Sequence, residues 1–475
     1  MSSEVPSPES TPRRVRTADR RFRRTLAITV AVLVVAVGGL TAFNAVKGPR
    51  VVRGEINQTA AIERTDQRLV LHIDQPITEL DTGAVRVEPA VPVEVESEGA
   101  TVTVRFAEAL DYDTEYRVTI DEARGTATGA SGPLEWSFTT PDPSIYALQR
   151  DTDPAVPDRI VQRDLGGTEA TALFEGDRIQ DYAAAGRTIA VVTLDADNVA
   201  TLSLAATDGS GVGEVQLPAD GSVTDLHATG STGLVGFVFT SRPGADEDFP
   251  RILYTYDTTD PSGVARPVLG VDGAPLSVLD WTFVPGTTSL IAQDPEESLY
   301  LIDPLSEDPP APLGAHSEMR GFIAGTTRLV VADPQQGSTI DLATGETAPL
   351  DLPDADLPEG TVPGPLVVLG GDSYLELVST FDDPTTGAGL ASRIIRVDGD
   401  ETRELWSPAA EGTRIGDICL SPNGQYLAVE TISAEGMPDG YPDVPGSSAT
   451  STVFVDIETG DAGRGIAGFR VDWCG

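Results

Sequence analysis

Five aspartates occupy one repeated position in the C-terminal part of the chain, and their carboxylates have the clearest capacity for chemistry. They are Asp181, Asp225, Asp280, Asp417 and Asp472. If these carboxylates point into a channel, they form a partial ring that attracts a cation such as Ca²⁺. If each one instead accepts hydrogen bonds from backbone or hydroxyl groups, the series stabilises the repeat units, and we favour this structural role.

No catalytic or metal-binding motif accompanies these carboxylates. The three histidines, His72, His227 and His316, fall in different predicted elements. The H-E-x-x-H and G-x-S-x-G motifs are absent, as is any His–Cys cluster with the spacing of a zinc site. The sequence therefore predicts no catalytic residues, no metal ligands and no cofactor, and a protein that is not an enzyme.

The two cysteines, Cys419 and Cys474, each follow an aspartate of the series by two residues. An even pair of cysteines in an exported protein usually forms a disulfide, so we predict a Cys419–Cys474 bond that joins the last strand to the neighbouring repeat unit. Two buried free thiols are the alternative, because inner strands of adjacent units can stand farther apart than the Cα separation of about 4.4–6.8 Å that a disulfide needs.

The aspartates mark a repeat that runs through residues 143–475. Each unit has a short strand, a Gly-containing turn, a strongly apolar strand, a third strand and a weaker fourth strand, as in VLDWTFVPGTTSLIAQD followed by SLYLIDP. With one degenerate copy at residues 365–378, the interval from Asp181 to Asp472 holds six periods of about 48 residues. Four strands in about 40–50 residues are typical of one blade of a β-propeller.

The two ends of this repeat region complement each other. The chain stops at FRVDWCG (469–475), which supplies only a first strand, whereas residues 144–174 supply later strands without a first one. Joining them makes a seventh blade and leaves no edge strand exposed. We therefore predict an all-β fold with a seven-bladed β-propeller at residues 143–475, closed by pairing of its N- and C-terminal strands.

Residues 51–141 form a separate region of predicted strands. They are RLVLHI (68–73), VRVEPAVPVEV (85–95), ATVTVRF (100–106), YRVTI (116–120) and LEWSFTT (134–140). Each alternates apolar and polar residues or is rich in β-branched residues. About ninety residues of this kind, with frequent turn signals, predict a small β-sandwich.

The series RLVLHIDQPITEL, ATVTVRFAEALDYDTEYRVTI and LEWSFTTPDP resembles the SbsA-type bacterial Ig-like domain. In that family the Tyr of the T-x-Y-x-V strand and the terminal W-S-F-T-T strand are core positions, which fall here on Tyr116, Trp136, Phe138 and Thr140. The resemblance implies a non-catalytic spacer or adhesive module of bacterial surface proteins. The turn SPNGQYLAV (421–429) is similar to the S-P-D-G turn of TolB-like and WD-type propeller repeats.

Residues 26–43 are an uncharged apolar stretch, LAITVAVLVVAVGGLTAF, and four arginines lie between residues 20 and 24. A helix of this length spans about 27 Å, close to the thickness of the hydrocarbon core. The basic residues predict a cytoplasmic N-terminus, so we expect a disordered tail at 1–24, a transmembrane helix at 25–44 and an extracytoplasmic remainder at the plasma membrane. A cleaved secretory signal and a twin-arginine signal are the alternatives.

The charge of the chain limits its possible partners. It carries 74 acidic and 32 basic side chains, a net charge of -42. Such an acidic surface repels phosphate, which excludes nucleic acid as a partner of the bulk of the chain.

The predicted function is that of a membrane-anchored, actinobacterial-type envelope protein with a single transmembrane span. Its Ig-like spacer presents the propeller as a non-catalytic binding module for a protein, peptide or glycan of the cell envelope. The long loops at 241–250, 353–364 and 433–450 are the expected variable part of the binding face. The alternatives are a propeller hydrolase or lyase that acts on envelope carbohydrate, and a sensor or assembly factor.

Overall fold

The computed structural model describes residues 22–35, 47–127, 129–153, 155–208, 211–230, 232–244, 249–260, 264–381 and 389–474. Residues 22–35 are helical and their side chains are exposed. The predicted transmembrane helix at 25–44 overlaps this helix, and its remaining residues lie outside the described part, as does most of the predicted tail. Among the described residues, no helix is both long enough and apolar enough to cross a membrane.

The chain divides into two compact units. The first comprises Met1–Glu55, Leu69–Arg105 and Arg117–Ser137, and the second comprises Ile56–Arg68, Phe106–Tyr116 and Phe138–Gly475. Three segments of the predicted sandwich region, 56–68, 106–116 and 138–141, therefore belong to the same unit as the repeats.

The first unit is built on two antiparallel sheets, with strand orders β1-β2-β5-β4 and β3-β6-β7. Their strands are β1 (Val51–Glu55), β2 (Gln67–Ile73), β3 (Val85–Glu88), β4 (Val93–Glu98), β5 (Thr101–Phe106), β6 (Glu115–Arg124) and β7 (Ser131–Thr139). Strand β5 shows why this sequence forms a half-buried sheet. Val102 and Val104 are fully buried, whereas Thr101 and Thr103 point to the other face and stay partly exposed.

The segment 85–95, predicted as one strand, is two strands in different sheets. Strand β3 ends at Glu88 and β4 begins at Val93, with Pro89 and Pro92 between them. Proline has no N–H to donate to a neighbouring strand, so the two prolines interrupt the hydrogen-bond ladder.

The two early segments of the second unit are joined to each other. Helix α1 (Gln58–Glu63) begins after Asn57, whose side chain accepts a hydrogen bond from the Ala60 N–H and so caps the helix. The Leu110 N–H donates to the carbonyl of Ala61 at 2.7 Å, which links the helix to Phe106–Tyr116.

Six four-stranded antiparallel sheets follow along the chain, each with its strands in sequence order. They are formed by β11 (Ile179–Ala185), β12 (Thr188–Leu194), β13 (Ala200–Ala206) and β14 (Val212–Val215); β15 (Gly221–Ala228), β16 (Leu234–Ser241), β17 (Ile252–Asp257) and β18 (Arg266–Pro267); β19 (Asp280–Phe283), β20 (Leu290–Gln293), β21 (Ser298–Ile302) and β22 (Ala311–Ala315); β23 (Glu318–Phe322), β24 (Arg328–Asp333), β25 (Gln336–Asp341) and β26 (Thr347–Leu350); β27 (Val362–Gly370), β28 (Ser373–Thr380), β29 (Ala391–Asp398) and β30 (Glu401–Trp406); and β31 (Arg414–Leu420), β32 (Tyr426–Ile432), β33 (Thr450–Asp456) and β34 (Ile466–Ala467). First strands of neighbouring sheets adjoin, as β11 does with β15 and β27 with β31.

A three-stranded sheet precedes these six. Its strands are β8 (Ser144–Gln149), β9 (Asp158–Asp164) and β10 (Thr171–Gly176), in the order β10-β9-β8. The free side of β8 is occupied by the C-terminal segment, because the Leu148 N–H donates to the Phe469 carbonyl at 2.9 Å and the Phe469 N–H donates to the Leu148 carbonyl at 3.0 Å. The segment 469–475 was predicted to form a strand, whereas Phe469 makes an isolated bridge and the last described residues, 472–474, form a turn of 3₁₀ helix.

The apolar core of the second unit lies between neighbouring sheets. One cluster combines Val192 and Leu202 of one sheet with Phe237 and Tyr254 of the next. The second strands are buried along most of their length, as in β16 and β20, because they have neighbours on both sides and sheets on both faces, which explains their continuous apolar runs in the sequence. Each sheet therefore buries its faces only by packing against its neighbours.

Candidate functional site

Four of the five predicted carboxylates lie on first strands. Asp181 is in β11, Asp225 in β15, Asp280 begins β19 and Asp417 is in β31. Asp472 lies in the terminal 3₁₀ turn. The first four aspartates, which share one position in the sequence repeat, thus also share one position in the fold.

Three of these carboxylates make the same local hydrogen bond. The side chains of Asp181, Asp280 and Asp417 each accept a hydrogen bond through Oδ1 from the backbone N–H of the next residue, at 2.9, 2.8 and 2.8 Å respectively. In β11 and β31 the strand pairing is also irregular at this place. A carboxylate that accepts an N–H here compensates for the interrupted ladder, which is a structural task.

Asp225 and Asp472 have other partners. Asp225 has a positive φ of 48°, and its Oδ2 accepts a hydrogen bond from Arg251 Nη2 at 2.9 Å. Asp472 accepts a hydrogen bond through Oδ1 from the Tyr146 N–H of β8 at 2.9 Å. Burial raises the pKa of the Asp472 carboxyl to about 7. Asp472 thus binds the terminal turn to β8 through its side chain.

A cluster of charged groups forms around Arg470, and the sequence reasoning missed it. The guanidinium of Arg470 is 2.8 Å from Asp181 Oδ2, and its Nε and Nη2 both donate to Asp181 Oδ1, at 3.1 and 3.0 Å. The Arg470 N–H donates to Glu430 Oε1 at 2.6 Å, and the Tyr182 hydroxyl donates to the Arg470 carbonyl. Burial raises the pKa of Glu430. Because Arg470 lies 289 residues from Asp181, no local spacing signals this pair.

A small cavity lies beside this cluster. Tyr182, Ala228, Arg470 and Asp472 are among the residues that line it, and its volume is about 20 Å³. That volume accommodates a water molecule and excludes a sugar or a peptide side chain. Among the described residues, no three His, Cys, Asp or Glu side chains are placed to hold a metal ion together.

The three histidines lie apart in the structure. His72 is beside Arg53 and Glu55 at the surface of the first unit. The ring of His227 packs edge-on against Trp281, with ring centroids 4.8 Å apart. His316 Nδ1 lies 3.0 Å from Asp333 Oδ2, and this hydrogen bond lowers the pKa of Asp333.

Cys419 lies on β31 and packs with Tyr426 and Trp473 against the apolar cluster at the end of the chain. No cysteine in the described part of the chain is a free thiol. The side chain of Cys474 lies outside the described residues, so its pairing with Cys419 stays a prediction.

Comparison with known proteins agrees with this architecture. Residues 47–140 match the family model Big_5, a bacterial Ig-like domain. No curated protein matches the chain. Residues 47–140 thus form a bacterial Ig-like domain, and the three-stranded sheet and six four-stranded sheets described above follow it in the chain.

Several solved structures are similar to the chain at low sequence identity. The β-propeller domain of the trilobed protease from Pyrococcus furiosus is 11% identical, with 67% of this chain and 92% of that chain covered and a TM-score of 0.41. TolB from Acinetobacter baumannii is 10% identical, with 80% and 79% covered and a TM-score of 0.34. The dihydro-heme d1 dehydrogenase NirN is 13% identical, with 69% and 74% covered and a TM-score of 0.40. These likenesses concern the fold and do not bear on activity.

Proposed function

We propose that this chain is a single-span envelope protein whose Ig-like domain presents a closed seven-bladed propeller as a non-catalytic binding module. Six blades are the four-stranded sheets, and the seventh combines β8, β9 and β10 with the segment at Phe469. The mutual hydrogen bonds of Leu148 and Phe469 support this closure, since β8 is the edge strand of the order β10-β9-β8. The apolar stretch 26–43 and the arginines before it support a membrane anchor.

Antiparallel order gives such a ring two different faces. The turns between first and second strands and between third and fourth strands emerge on one face, which we call the turn face. The connections between second and third strands, and the passages to the next sheet, emerge on the other, which we call the loop face. By this topology the described parts of the long loops at 241–250, 353–364 and 433–450 all belong to the loop face.

The turn face is partly covered by the chain itself. Arg64 Nη1 donates to the Gly286 carbonyl at 3.1 Å, and the Thr65 N–H donates to the Gly325 carbonyl at 3.2 Å. The Tyr112 N–H donates to Gln425 Oε1 at 2.8 Å. Each acceptor lies in a turn between a first and a second strand. The segments Ile56–Arg68 and Phe106–Tyr116 thus bind the turns of three different sheets.

Several apolar side chains are exposed on the loop face, and they are the main observation in support of a binding function. Leu269, Val271 and Leu279 lie in the passage from β18 to β19 and are 49%, 64% and 46% exposed. The Arg251 guanidinium donates to the Leu279 carbonyl and also pairs with Asp225. An apolar group bordered by charged residues is typical of a surface that contacts another macromolecule. The carboxylates of the inner strands, in contrast, have structural partners.

We expect the change Val271→Asp to weaken binding of the full-length chain to isolated cell envelopes at least tenfold, because it places a charge inside the contact. Binding isotherms on intact, protease-treated and glycosidase-treated envelopes measure the affinity and distinguish a protein partner from a glycan. The control is Leu305→Asp, which changes an apolar residue of similar exposure, 57%, on the turn face. Equal affinities of both variants and the unaltered chain would contradict a partner-binding loop face.

One observation keeps the alternative of a carbohydrate hydrolase or lyase. Asp181, Glu430 and Asp472 gather around Arg470 and Tyr182, and a set of carboxyls with raised pKa values is typical of general acid–base sites. The adjacent cavity is too small for a sugar, which favours the binding function. Release of reducing ends from envelope polysaccharide, lost in Glu430→Gln, would support the alternative.

A further inference from the structure

The connection between β32 and β33, residues 433–449, is folded as a hairpin of its own. Pro438 pairs with Ser447, and the Ser448 N–H donates to the Met437 carbonyl at 2.8 Å. Asp439 closes the turn, because its Oδ1 accepts a hydrogen bond from the Gly446 N–H at 3.0 Å. We call residues 433–449 the clasp. The sequence predicted this loop as part of a variable binding surface, and the structure directs several of its side chains into the protein instead.

A buried ion pair connects the clasp to the end of β8, in the three-stranded sheet. Arg150, which follows β8 directly, places Nη1 2.7 Å from Asp439 Oδ2, and the two side chains are 1% and 2% exposed. The same Nη1 donates to the Val444 carbonyl at 2.8 Å, and the guanidinium lies 3.7 Å from the ring centre of Tyr441. A charge left alone in such a site would be strongly unfavourable, so the two ends of this pair stay together.

The clasp is also linked, through Arg150 and Asp158, to the four-stranded sheet that begins with β11. Arg150 Nε donates to the carbonyl of Ile179, the first residue of β11, at 2.9 Å. The Tyr441 hydroxyl donates to Asp158, and the same Asp158 Oδ2 accepts a hydrogen bond from the Ile179 N–H at 2.8 Å. The clasp therefore extends from the sheet β31–β34, past the sheet β8–β10, to the start of β11.

The clasp lies directly on the residue that closes the ring. Val444 packs against the apolar cluster that contains Leu148, Ile179 and Phe469. A Cβ added at Gly446 would lie 2.5 Å from Cζ of the Phe469 ring, so the backbone of the clasp touches that ring. Phe469 is held on one side by its two hydrogen bonds to Leu148 and is covered by the clasp on the other.

We propose that the clasp is a second closure of the ring, which must release before the C-terminal segment can separate from β8. This inference rests on the proposed ring. The Leu148–Phe469 bridge has only two hydrogen bonds, whereas the clasp contributes a buried ion pair, a tyrosine hydrogen bond and apolar contacts around that bridge. The clasp thereby controls opening of the seam between the first and last strands of the propeller.

Hydrogen–deuterium exchange on the full-length chain tests this proposal. Asp439→Asn leaves Arg150 buried without its counter-charge, and Tyr441→Phe removes only the hydroxyl that contacts Asp158. We expect both variants to raise the exchange rate of peptides from the clasp and of peptides that contain Leu148 and Phe469 at least tenfold. The matched control is Tyr374→Phe, which loses a single hydrogen bond to the Pro353 carbonyl away from the clasp and should change neither rate.

Two outcomes would overturn the proposal in different ways. If the variants raise exchange in the clasp and leave the Leu148 and Phe469 peptides unchanged, the clasp does not secure the closure. If the Leu148 and Phe469 peptides already exchange freely in the unaltered chain, the ring itself is open and the proposed architecture fails. Because Tyr441→Phe preserves the ion pair, it supplies the answer if Asp439→Asn does not fold.

Discussion

Replacing Arg470 by Met should lower the free energy of unfolding by about 3–5 kcal/mol at pH 8, since it leaves the carboxylate of Asp181 buried without its cation. Asp181 is 1% exposed, and both of its oxygens accept hydrogen bonds from Arg470. Urea unfolding of the full-length chain, followed by tryptophan fluorescence, measures the loss.

The pH dependence of this effect has a definite sign. Burial already raises the pKa of Asp181 beside Arg470, and loss of the cation raises it further. In the variant, the folded chain then binds a proton that the unfolded chain, with a carboxyl pKa of about 3.9, has released. The variant should therefore lose stability as the pH rises from 5 to 8, and the penalty should be smaller at pH 5.

The control for this experiment is Arg159→Met, on strand β9. Arg159 pairs with Glu175 at 2.9 Å, and the two side chains are 45% and 51% exposed. Exposed pairs of this kind contribute about 1 kcal/mol or less. Equal losses for Arg470→Met and Arg159→Met would show that the Arg470–Asp181 pair is not buried in the folded protein.

The double change Cys419→Ser and Cys474→Ser should lower the free energy of unfolding by about 4 kcal/mol if the predicted disulfide forms. The bond would close a loop of 55 residues, and loops of that size restrict the unfolded chain by about this amount. The loss should be equal to that produced by reducing the unaltered chain, and reduction should leave the serine variant unchanged.

A thiol count gives the direct test of the same bond. The full-length chain, denatured without reductant, should show no reactive thiol, and two should appear after reduction. Two thiols before reduction would mean that both cysteines are free, which is the alternative that the sequence left open.

The strand pattern could be predicted from the sequence because it depends on residues that are close together in the chain. The alternation in Thr101–Phe106 and the apolar second strands repeat at short distances, and burial follows them closely. The split of segment 85–95 was also encoded, in Pro89 and Pro92, and was overlooked. The C-terminal segment was expected to form a strand beside the stretch near Ile145–Phe174; in the structure Phe469 makes an isolated bridge to Leu148, and residues 472–474 form a 3₁₀ turn.

The polar contacts between the two ends of the repeat region could not be predicted in this way. Arg150 and Asp439 are 289 residues apart, as are Asp181 and Arg470, and each pair meets only because the two ends of the repeat region come together. Periodicity detects residues that repeat, and these four partners make contacts that occur once. The aspartate series was visible for the opposite reason, since three of its members make the same bond to the next backbone N–H.

Closure of the propeller by its C-terminal segment is the central claim, and residue-level amide exchange at Leu148 and Phe469 tests it most directly. Each of these amides donates to the carbonyl of the other. In a closed ring both should exchange as slowly as the amide of Val191, which lies on strand β12 in the middle of the sheet β11–β14. Exchange of both amides at the rate of exposed turns would contradict the closed ring.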